Sequence, residues 1–159
     1  MTEEKKVQAR AEHTKKRGGR GARRRSREFA IKGIYEWLLS GTEAATIDAA
    51  AIEQDDFEQA DAEFYRDLLH GVIDNFADLE ATYAAHIDRE TSSLSPIERS
   101  ILLLGTFELK NNPQTPYRVV INEAVELAKS FGGTDGYRYV NGVLDKLVPV
   151  LRASEVKKA

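Results

Sequence analysis

Residues 116–133 read PYRVVINEAVELAKSFGG, a stretch that contains one complete amphipathic helix. A proline directly after Thr115 is typical of a helix start, and the paired glycines at the other end are typical of a helix stop. Between them, apolar residues recur at three- and four-residue steps, which is the period of a helix face. These residues are Val120, Ala124, Leu127 and Phe131. The stretch therefore predicts a helix with one buried side.

The same period recurs on both sides of this stretch. It predicts further helices over residues 24–40, 48–54, 59–86, 96–110 and 135–151. We expect Gly41 to end the first of them and Asn75 to bend the third. No stretch alternates apolar and polar residues as a half-buried strand does. The sequence therefore predicts an all-α fold.

One glycine is unexpected for its place in this pattern. Gly142 follows Asn141 inside the apolar period of the last helix, where glycine costs about 1 kcal/mol relative to alanine. Close packing of a neighbouring helix would offset this cost, and the Asn141 amide would pair with a nearby backbone group. We therefore expect both residues to be structural.

Charge divides the chain into a basic arm and an acidic body. Residues 1–27 contain eleven Lys and Arg against three Glu, whereas the other 132 residues contain twelve basic and 23 acidic side chains. The overall net charge of −3 conceals this division. A cationic arm is typical of proteins that bind a polyanion or an acidic protein at one end. Residues 1–22 are mostly charged or small, so we expect them to be disordered without a partner.

Several classes of protein are disfavoured by what the sequence lacks. It contains no cysteine, which excludes disulfides and thiolate metal sites. The longest apolar run, residues 101–104, is too short to cross a membrane. No apolar segment follows the basic N-terminus as a secretory signal requires, so we expect a cytoplasmic protein without a membrane anchor.

Enzymatic signals are weak. His70 has Asp67 and Asp74 at helical spacing, so a histidine–carboxylate pair is possible, but a surface histidine beside ordinary acids is the simpler interpretation. No phosphate-binding loop, dinucleotide-binding motif or HExxH motif is present. We therefore expect no catalytic residue, no metal and no cofactor.

The end of the basic arm carries a stronger signal. Four arginines lead directly into the first helix: Arg23, Arg24, Arg25 and Arg27. On that helix Phe29, Lys32 and Tyr35 are expected outside or beside the core face. Guanidinium groups bind phosphates bidentately and stack on bases, and exposed aromatic rings beside them are typical of single-stranded RNA recognition. A solubilising tail with a core-facing Tyr35, or a tail that binds an acidic protein, is the alternative.

Four blocks of sequence, taken in order, carry a resemblance to a known family. They are ARRRSREFA with GIYEW over residues 22–37, FYRDLL over 64–69, SPIER with FEL over 95–109, and PYRVVINEAVELAKSFG with YVNGVLD over 116–145. Together they resemble the NusB family of bacterial transcription antitermination factors. The resemblance covers about residues 23–151, which leaves residues 1–22 as a basic extension and residues 152–159 as an expected flexible tail.

The resemblance implies an all-α, NusB-like fold of two small helical bundles packed together, with a disordered basic N-terminal arm. It also implies that the protein binds boxA, a single-stranded element of ribosomal RNA leader transcripts, together with NusE, a small-subunit ribosomal protein. This pair would support assembly of an antitermination complex on RNA polymerase. A homodimer is possible as well, because family members occur both as monomers and as dimers.

Site residues follow from the resemblance by motif match. The implied RNA-binding residues are Arg23, Arg24, Arg25, Arg27, Tyr35, Asp135 and Tyr139. Glu98 is implied to bind NusE. The family often carries arginine at the position of Leu103, so any polar contact from there is lost or moved.

Two other functions stand as alternatives. NusB-like helical domains also precede ribosomal RNA cytosine methyltransferases, although we expect no room for a methyl-donor-binding sheet after Leu151. The second alternative is a protein-binding helical adaptor, whose basic arm is a non-specific tether for nucleic acid or for an acidic partner.

Overall fold

A computed structural model describes residues 19–133 and 135–157 of the chain. The helices in these ranges are α1 (Arg20–Ser40), α2 (Ala44–Ile52), α3 (Ala62–Asp74), α4 (Phe76–Ala84), α5 (Pro96–Asn111), α6 (Tyr117–Phe131), α7 (Gly136–Leu151) and α8 (Ala153–Lys157). Short 3-10 turns lie at Phe57–Gln59 and Thr91–Ser93. The described ranges contain no strand, which confirms the predicted all-α fold. The chain divides into two compact units, Met1–His70 and Gly71–Ala159.

Several predicted helix ends are confirmed. The Ser95 hydroxyl oxygen accepts a hydrogen bond from the Glu98 backbone N–H at 3.2 Å, so the predicted N-cap begins α5. Asn75 has a non-helical backbone (φ −115°, ψ 19°) and separates α3 from α4. Gly41 ends α1 in the left-handed conformation, at φ 68°, which glycine adopts without steric cost.

Both ends of the predicted domain differ from expectation. α1 begins at Arg20 rather than at residue 24, so the last three residues of the predicted disordered extension are helical. The remainder of that extension, residues 1–18, lies outside the described residues. At the other end, Ala153–Lys157 is helical where a flexible tail was predicted, and Arg152 is 5% exposed.

Three aromatic rings form the centre of the first unit. Phe29, Phe57 and Tyr65 meet edge to face, with centroids 5.1 Å apart for Phe29–Phe57 and 5.4 Å apart for Phe57–Tyr65, an arrangement that aromatic rings favour. Phe29 is 6% exposed, so the prediction that it lies outside or beside the core is wrong. A Cβ atom on Gly33 would lie 2.9 Å from Ile47 Cγ2, so this glycine lets α2 approach α1 closely.

α5 is the central helix of the second unit. It packs against α4, α6 and α7, and each of its residues from Ser100 to Leu109 is buried. Gly105 admits Leu144 of α7, because a Cβ atom at this glycine would lie 2.9 Å from Leu144 Cδ1. Four apolar residues predicted to face the core of α6 and α7 are buried: Val120, Ala124, Val140 and Val143.

The sequence suggested Gly142 as the glycine that permits close helix packing, but other glycines have this role. Gly142 is exposed, and no atom lies within 4 Å of the position its Cβ would take. A Cβ on Gly71, by contrast, would lie 2.2 Å from Phe107 Cζ. Gly132 ends α6 with an extended backbone (φ −94°, ψ −177°), and a Cβ there would lie 2.7 Å from the Ala128 carbonyl oxygen. Helix packing therefore requires Gly71 and not Gly142.

Arg152 holds the C-terminal segment against the end of α5. Its Nε donates to the Leu109 carbonyl at 2.7 Å, and its Nη2 donates to the carbonyls of Glu108 at 3.2 Å and Asn112 at 2.9 Å. Glu155 accepts from Arg152 Nη1 at 2.6 Å and from the Tyr117 backbone N–H at 3.0 Å. The bond from Tyr117, followed by the bond from Arg152, lowers the pKa of Glu155.

Replacing Arg152 by methionine is expected to lower the free energy of unfolding by about 3 kcal/mol, because buried carbonyls at the end of α5 lose their donor. Equilibrium urea denaturation measures the change. Lys157→Met, an exposed residue of α8, is the control and should change stability by less than about 0.5 kcal/mol. A loss below about 1 kcal/mol for Arg152→Met would contradict the structural role of the guanidinium.

Alanine substitutions at two helical glycines are expected to change stability in opposite directions. Gly142→Ala should stabilise the protein by about 0.5–1 kcal/mol, since alanine is the better helix former and its methyl group meets no atom. Gly71→Ala should destabilise it by about 1–3 kcal/mol through the clash with Phe107. Thermal and urea denaturation of the two variants measure the difference, and equal effects would show that the packing at Gly71 is loose.

Candidate nucleic-acid interface

The arginine run lies on a folded helix. α1 begins at Arg20 with Gly19 as its N-cap, and its first turn carries no acidic residue. The N-terminal end of a helix carries a partial positive charge. This charge therefore adds to the arginines of the first two turns instead of being neutralised locally.

Arg23 is held by an aromatic ring. Its Cζ atom lies 4.0 Å from the centroid of Phe64, the third residue of α3, and its side chain is half-buried. A cation–π contact uses the face of the guanidinium, whereas the N–H groups point outward in the guanidinium plane. Stacking on Phe64 therefore positions Arg23 and leaves its N–H groups able to donate to a phosphate.

Arg27 occupies a different environment from the other arginines. Its Cζ lies 5.1 Å from the same Phe64 centroid, and the residue is 3% exposed. Ser26 beside it is 0% exposed, and its hydroxyl donates to the Asp61 carbonyl at 2.7 Å. A side chain this deeply buried is in no position to bind a phosphate at the surface. The implied RNA contact at Arg27 is therefore not supported in this conformation, and we assign Arg27 to the fold.

Arg25 and Arg24 lie nearer to the surface. The Nη1 atom of Arg25 donates to Glu28 Oε2 at 3.1 Å and to Asp56 Oδ2 at 3.4 Å, and Nη2 donates to Gln59 Oε1 at 3.5 Å. Its side chain is 37% exposed. Arg24 is half-buried. Within one turn of α1, the arginines therefore have three kinds of environment: aromatic, carboxylate-paired and buried.

Tyr35 lies farther along the same helix. It is 39% exposed, and it follows Arg24 by about three helical turns, which places both residues on one side of α1 about 16 Å apart along its axis. Lys32, one turn before Tyr35, is exposed as well. The expected exposed aromatic residue on the arginine-bearing helix is therefore present at Tyr35.

In the second unit, three of the implied residues meet at the start of α7. Asp135 is exposed and occupies the N-cap position. The Glu98 carboxylate lies against Gly136, since a Cβ on this glycine would be 3.1 Å from Glu98 Oε1. Tyr139 follows one turn later, with the guanidinium of Arg89 over its ring at 4.4 Å. Burial raises the pKa of Tyr139, and its hydroxyl oxygen is buried without a hydrogen-bond partner among the described residues.

Sequence reasoning missed several cations near these residues. Arg89 lies in a polar loop and belongs to no motif. Lys129 Nζ and Arg138 Cζ lie 5.1 Å and 5.7 Å from the Tyr137 ring centroid. The alternation of aromatic and basic side chains over residues 137–139 is the signal that could have identified this second group, because it combines stacking surfaces with cations.

His70 has a carboxylate partner, but not one of the two expected from helical spacing. Its Nε2 lies 2.6 Å from Asp48 Oδ2 of α2, and Tyr65 donates to Asp48 Oδ1 at 3.0 Å. Burial, followed by the bond to Asp48, raises the pKa of Tyr65. The phenol is therefore not activated as a nucleophile, and the three side chains link α2 to α3.

The described ranges contain no group of three His, Cys, Asp or Glu side chains arranged to hold a metal ion. Within the same ranges, no helix combines the length and the apolar character that crossing a bilayer demands.

The described residues therefore define an all-α protein whose first helix carries a cluster of arginines. Comparison with known proteins identifies the family. A family model described as the NusB family matches residues 24–149. The transcription antitermination protein NusB of Aromatoleum aromaticum is 56% identical over 137 residues, which cover 86% of this chain and 94% of that relative. The protein of the same name from Bordetella pertussis is 53% identical over 144 residues, covering 88% and 94%.

Solved structures agree with the sequence comparison. T. maritima NusB superimposes with a TM-score of 0.69 at 25% identity, covering 77% of this chain and 87% of that one. A chain in the crystal structure of a plectonemic RNA supercoil also gives 0.69, at 20% identity and covering 86% and 97%, which shows the fold alone. The chain belongs to the NusB family of transcription antitermination factors, and the resemblance and fold inferred from its sequence are confirmed.

Arg27 is buried and Arg23 is half-buried, so we expect substitutions at these two positions to change stability by different amounts. Arg27→Gln should lower the free energy of unfolding by about 2–3 kcal/mol, because it removes a buried, partnered charge. Arg23→Gln should cost no more than about 1 kcal/mol, the value of a partly exposed cation–π contact. Urea denaturation of both variants tests this, and equal losses would place Arg27 among the surface arginines.

Proposed function

We propose that the protein binds boxA-type single-stranded RNA together with NusE, and that this complex supports assembly of an antitermination complex on RNA polymerase during ribosomal RNA transcription. The observation that carries the proposal is an arginine run fixed on a folded helix in a member of the NusB family. In this role the protein works by binding, without catalysis or a cofactor, in the cytoplasm where transcription takes place.

Phosphate binding is assigned to the start of α1. Arg23 presents its N–H groups while its face rests on Phe64. Arg24 and Arg25 lie on adjacent sides of the same turn, and the N-terminus of α1 contributes its partial positive charge. Guanidinium groups suit this task because they donate bidentately to phosphate oxygens.

Base recognition is assigned to aromatic and acidic side chains. Tyr35 offers an exposed ring on which an unstacked base can lie. Tyr139, with the guanidinium of Arg89 over its ring, would contribute a second aromatic surface, whereas its buried hydroxyl would take no part. Asp135 would accept hydrogen bonds from base amino groups, since a carboxylate repels phosphate and accepts from N–H donors. This division would give affinity through arginine and selectivity through the other side chains.

NusE binding is assigned to Glu98. Its carboxylate lies at the start of α7, where it would pair with a cation of the partner. Both Glu98 and Asp135 lie beside α7, so protein and RNA contacts would be adjacent within the second unit. Formation of a homodimer remains a separate prediction of the family resemblance, which sedimentation of the protein alone would test.

Titration of boxA RNA against a scrambled RNA of equal length and composition, with and without NusE, tests the proposed function. Fluorescence anisotropy at fixed salt should show that, with NusE present, boxA binds at least about tenfold more tightly than the scrambled RNA, a difference of about 1.4 kcal/mol. Equal affinities in the presence of NusE would favour the alternative, an adaptor with a non-specific basic tether.

Repeating the boxA titration at several salt concentrations tests the assignment of phosphate contacts. If about five phosphates are neutralised, the logarithm of affinity should fall against the logarithm of salt with a slope of roughly −3 to −4. Arg23→Gln should reduce the magnitude of this slope by about 0.7, whereas Arg27→Gln should leave it unchanged at a temperature where the variant is folded. A flat salt response in the wild-type protein would refute the phosphate mechanism.

A further inference from the structure

Arg25 differs from Arg23 in what occupies its N–H groups. Arg23 rests on the face of an aromatic ring. Arg25 instead donates through Nη1 to the carboxylates of Glu28 and Asp56 and through Nη2 to Gln59. Bidentate phosphate binding requires N–H groups of the same fork. The carboxylates occupy the Nη1 side of Arg25, so a phosphate that takes the Nη1/Nη2 fork must displace a carboxylate, whereas one that reaches Arg23 need not.

The second of these carboxylates belongs to an acidic segment that is held in place. Residues 53–58, between α2 and α3, read EQDDFE. Phe57 is 8% exposed and packs edge to face on Phe29. The Phe57 backbone N–H donates to the Gln54 carbonyl at 3.1 Å, and the Gln59 N–H donates to the Asp56 carbonyl at 3.1 Å. The aromatic core therefore fixes the backbone on both sides of Asp56 and keeps its carboxylate beside Arg25.

We propose that Asp56 is an internal competitor for RNA phosphate at Arg25. The inference rests on the proposed RNA binding and adds a residue that restrains it. Asp56 is tethered, so it is present at Arg25 at a high effective concentration, whatever the concentration of RNA. An RNA that binds through phosphate contacts alone must displace Asp56 from Arg25. It therefore gains less binding free energy from Arg25 than it would if Asp56 were absent. An RNA that also engages base-reading side chains has other interactions to offset the loss.

The expected size of the effect follows from exposure. The side chains of Arg25 and Asp56 are 37% and 42% exposed, and ion pairs at such surfaces contribute only fractions of a kcal/mol to about 1 kcal/mol. Removing the competitor should therefore raise RNA affinity by a factor of about two to five. Asp56 thus adjusts affinity and does not switch it on or off.

Asp56→Asn and Asp55→Asn form a matched pair for the test. Each removes one negative charge from the same segment, but the pairing with Arg25 is made by Asp56. In anisotropy titrations with boxA RNA and NusE, Asp56→Asn should bind about two- to fivefold more tightly than wild type. Asp55→Asn should change affinity by less than about 1.5-fold, because an unpaired exposed charge acts only through a screened field. Glu28→Gln, which removes the other carboxylate at Arg25, should also tighten binding.

A double-mutant comparison separates competition from a general charge effect. In an Arg25→Gln background, Asp56→Asn should no longer change RNA affinity, since the residue for which it competes is absent. Circular dichroism and urea denaturation should show the same fold in each variant, as expected for exposed or half-exposed side chains.

Three outcomes would overturn the inference. Equal effects of Asp56→Asn and Asp55→Asn would leave only a general charge effect. Weaker binding by Asp56→Asn would mean that Asp56 positions Arg25 for RNA. Persistence of the gain in the Arg25→Gln background would locate the competition elsewhere. If wild-type protein with NusE does not distinguish boxA from scrambled RNA, the proposed function fails first and this inference falls with it.

Discussion

The burial of one side of α1 is the constraint on which the arrangement of the arginines depends. Successive residues of a helix point about 100° apart, so neighbouring arginines cannot share one environment. Ser26 and Arg27 fall on the buried side, Arg23 falls where Phe64 offers a ring, and Arg25 falls beside the acidic segment. A run of one residue type is therefore divided by helical geometry into an anchor, a stacked cation and a carboxylate-paired cation.

Elements that depend on local pattern could be predicted from the sequence. The apolar stripes of α6 and α7, the Ser95 cap and the break at Asn75 each follow from spacing or from one residue's backbone preference, and the structure confirms them. Features that depend on tertiary partners could not be predicted from the sequence. The family resemblance implied that Arg27 contacts RNA and left residues 152–159 as a flexible tail. Whether a guanidinium is buried depends on carbonyls and rings that are distant in sequence.

The same distinction between local pattern and tertiary contact applies to the residues of the candidate site. Motif match located the residues at the start of α7 because they are adjacent in sequence to the YVNGVLD block. It gave no indication of Arg89, whose position over Tyr139 arises when the loop after α4 folds beside α7. Phe29 shows the reverse error: it follows the arginine run closely in sequence, but Phe57 and Tyr65 are its neighbours in space. Sequence proximity identified the helix, and only packing assigned the side chains on it.

The acids near the cations have a chemical consequence for selectivity. A surface made only of arginines would bind any polyanion with an affinity set by charge and salt. Here Glu28 and Asp56 lie within hydrogen-bonding distance of Arg25, while Glu98 and Asp135 lie at the positive end of α7. Each carboxylate lowers the local attraction for phosphate and adds an acceptor for N–H groups. At each of these two places a phosphate would therefore be attracted less strongly, and a ligand with N–H donors in the right positions would recover that loss.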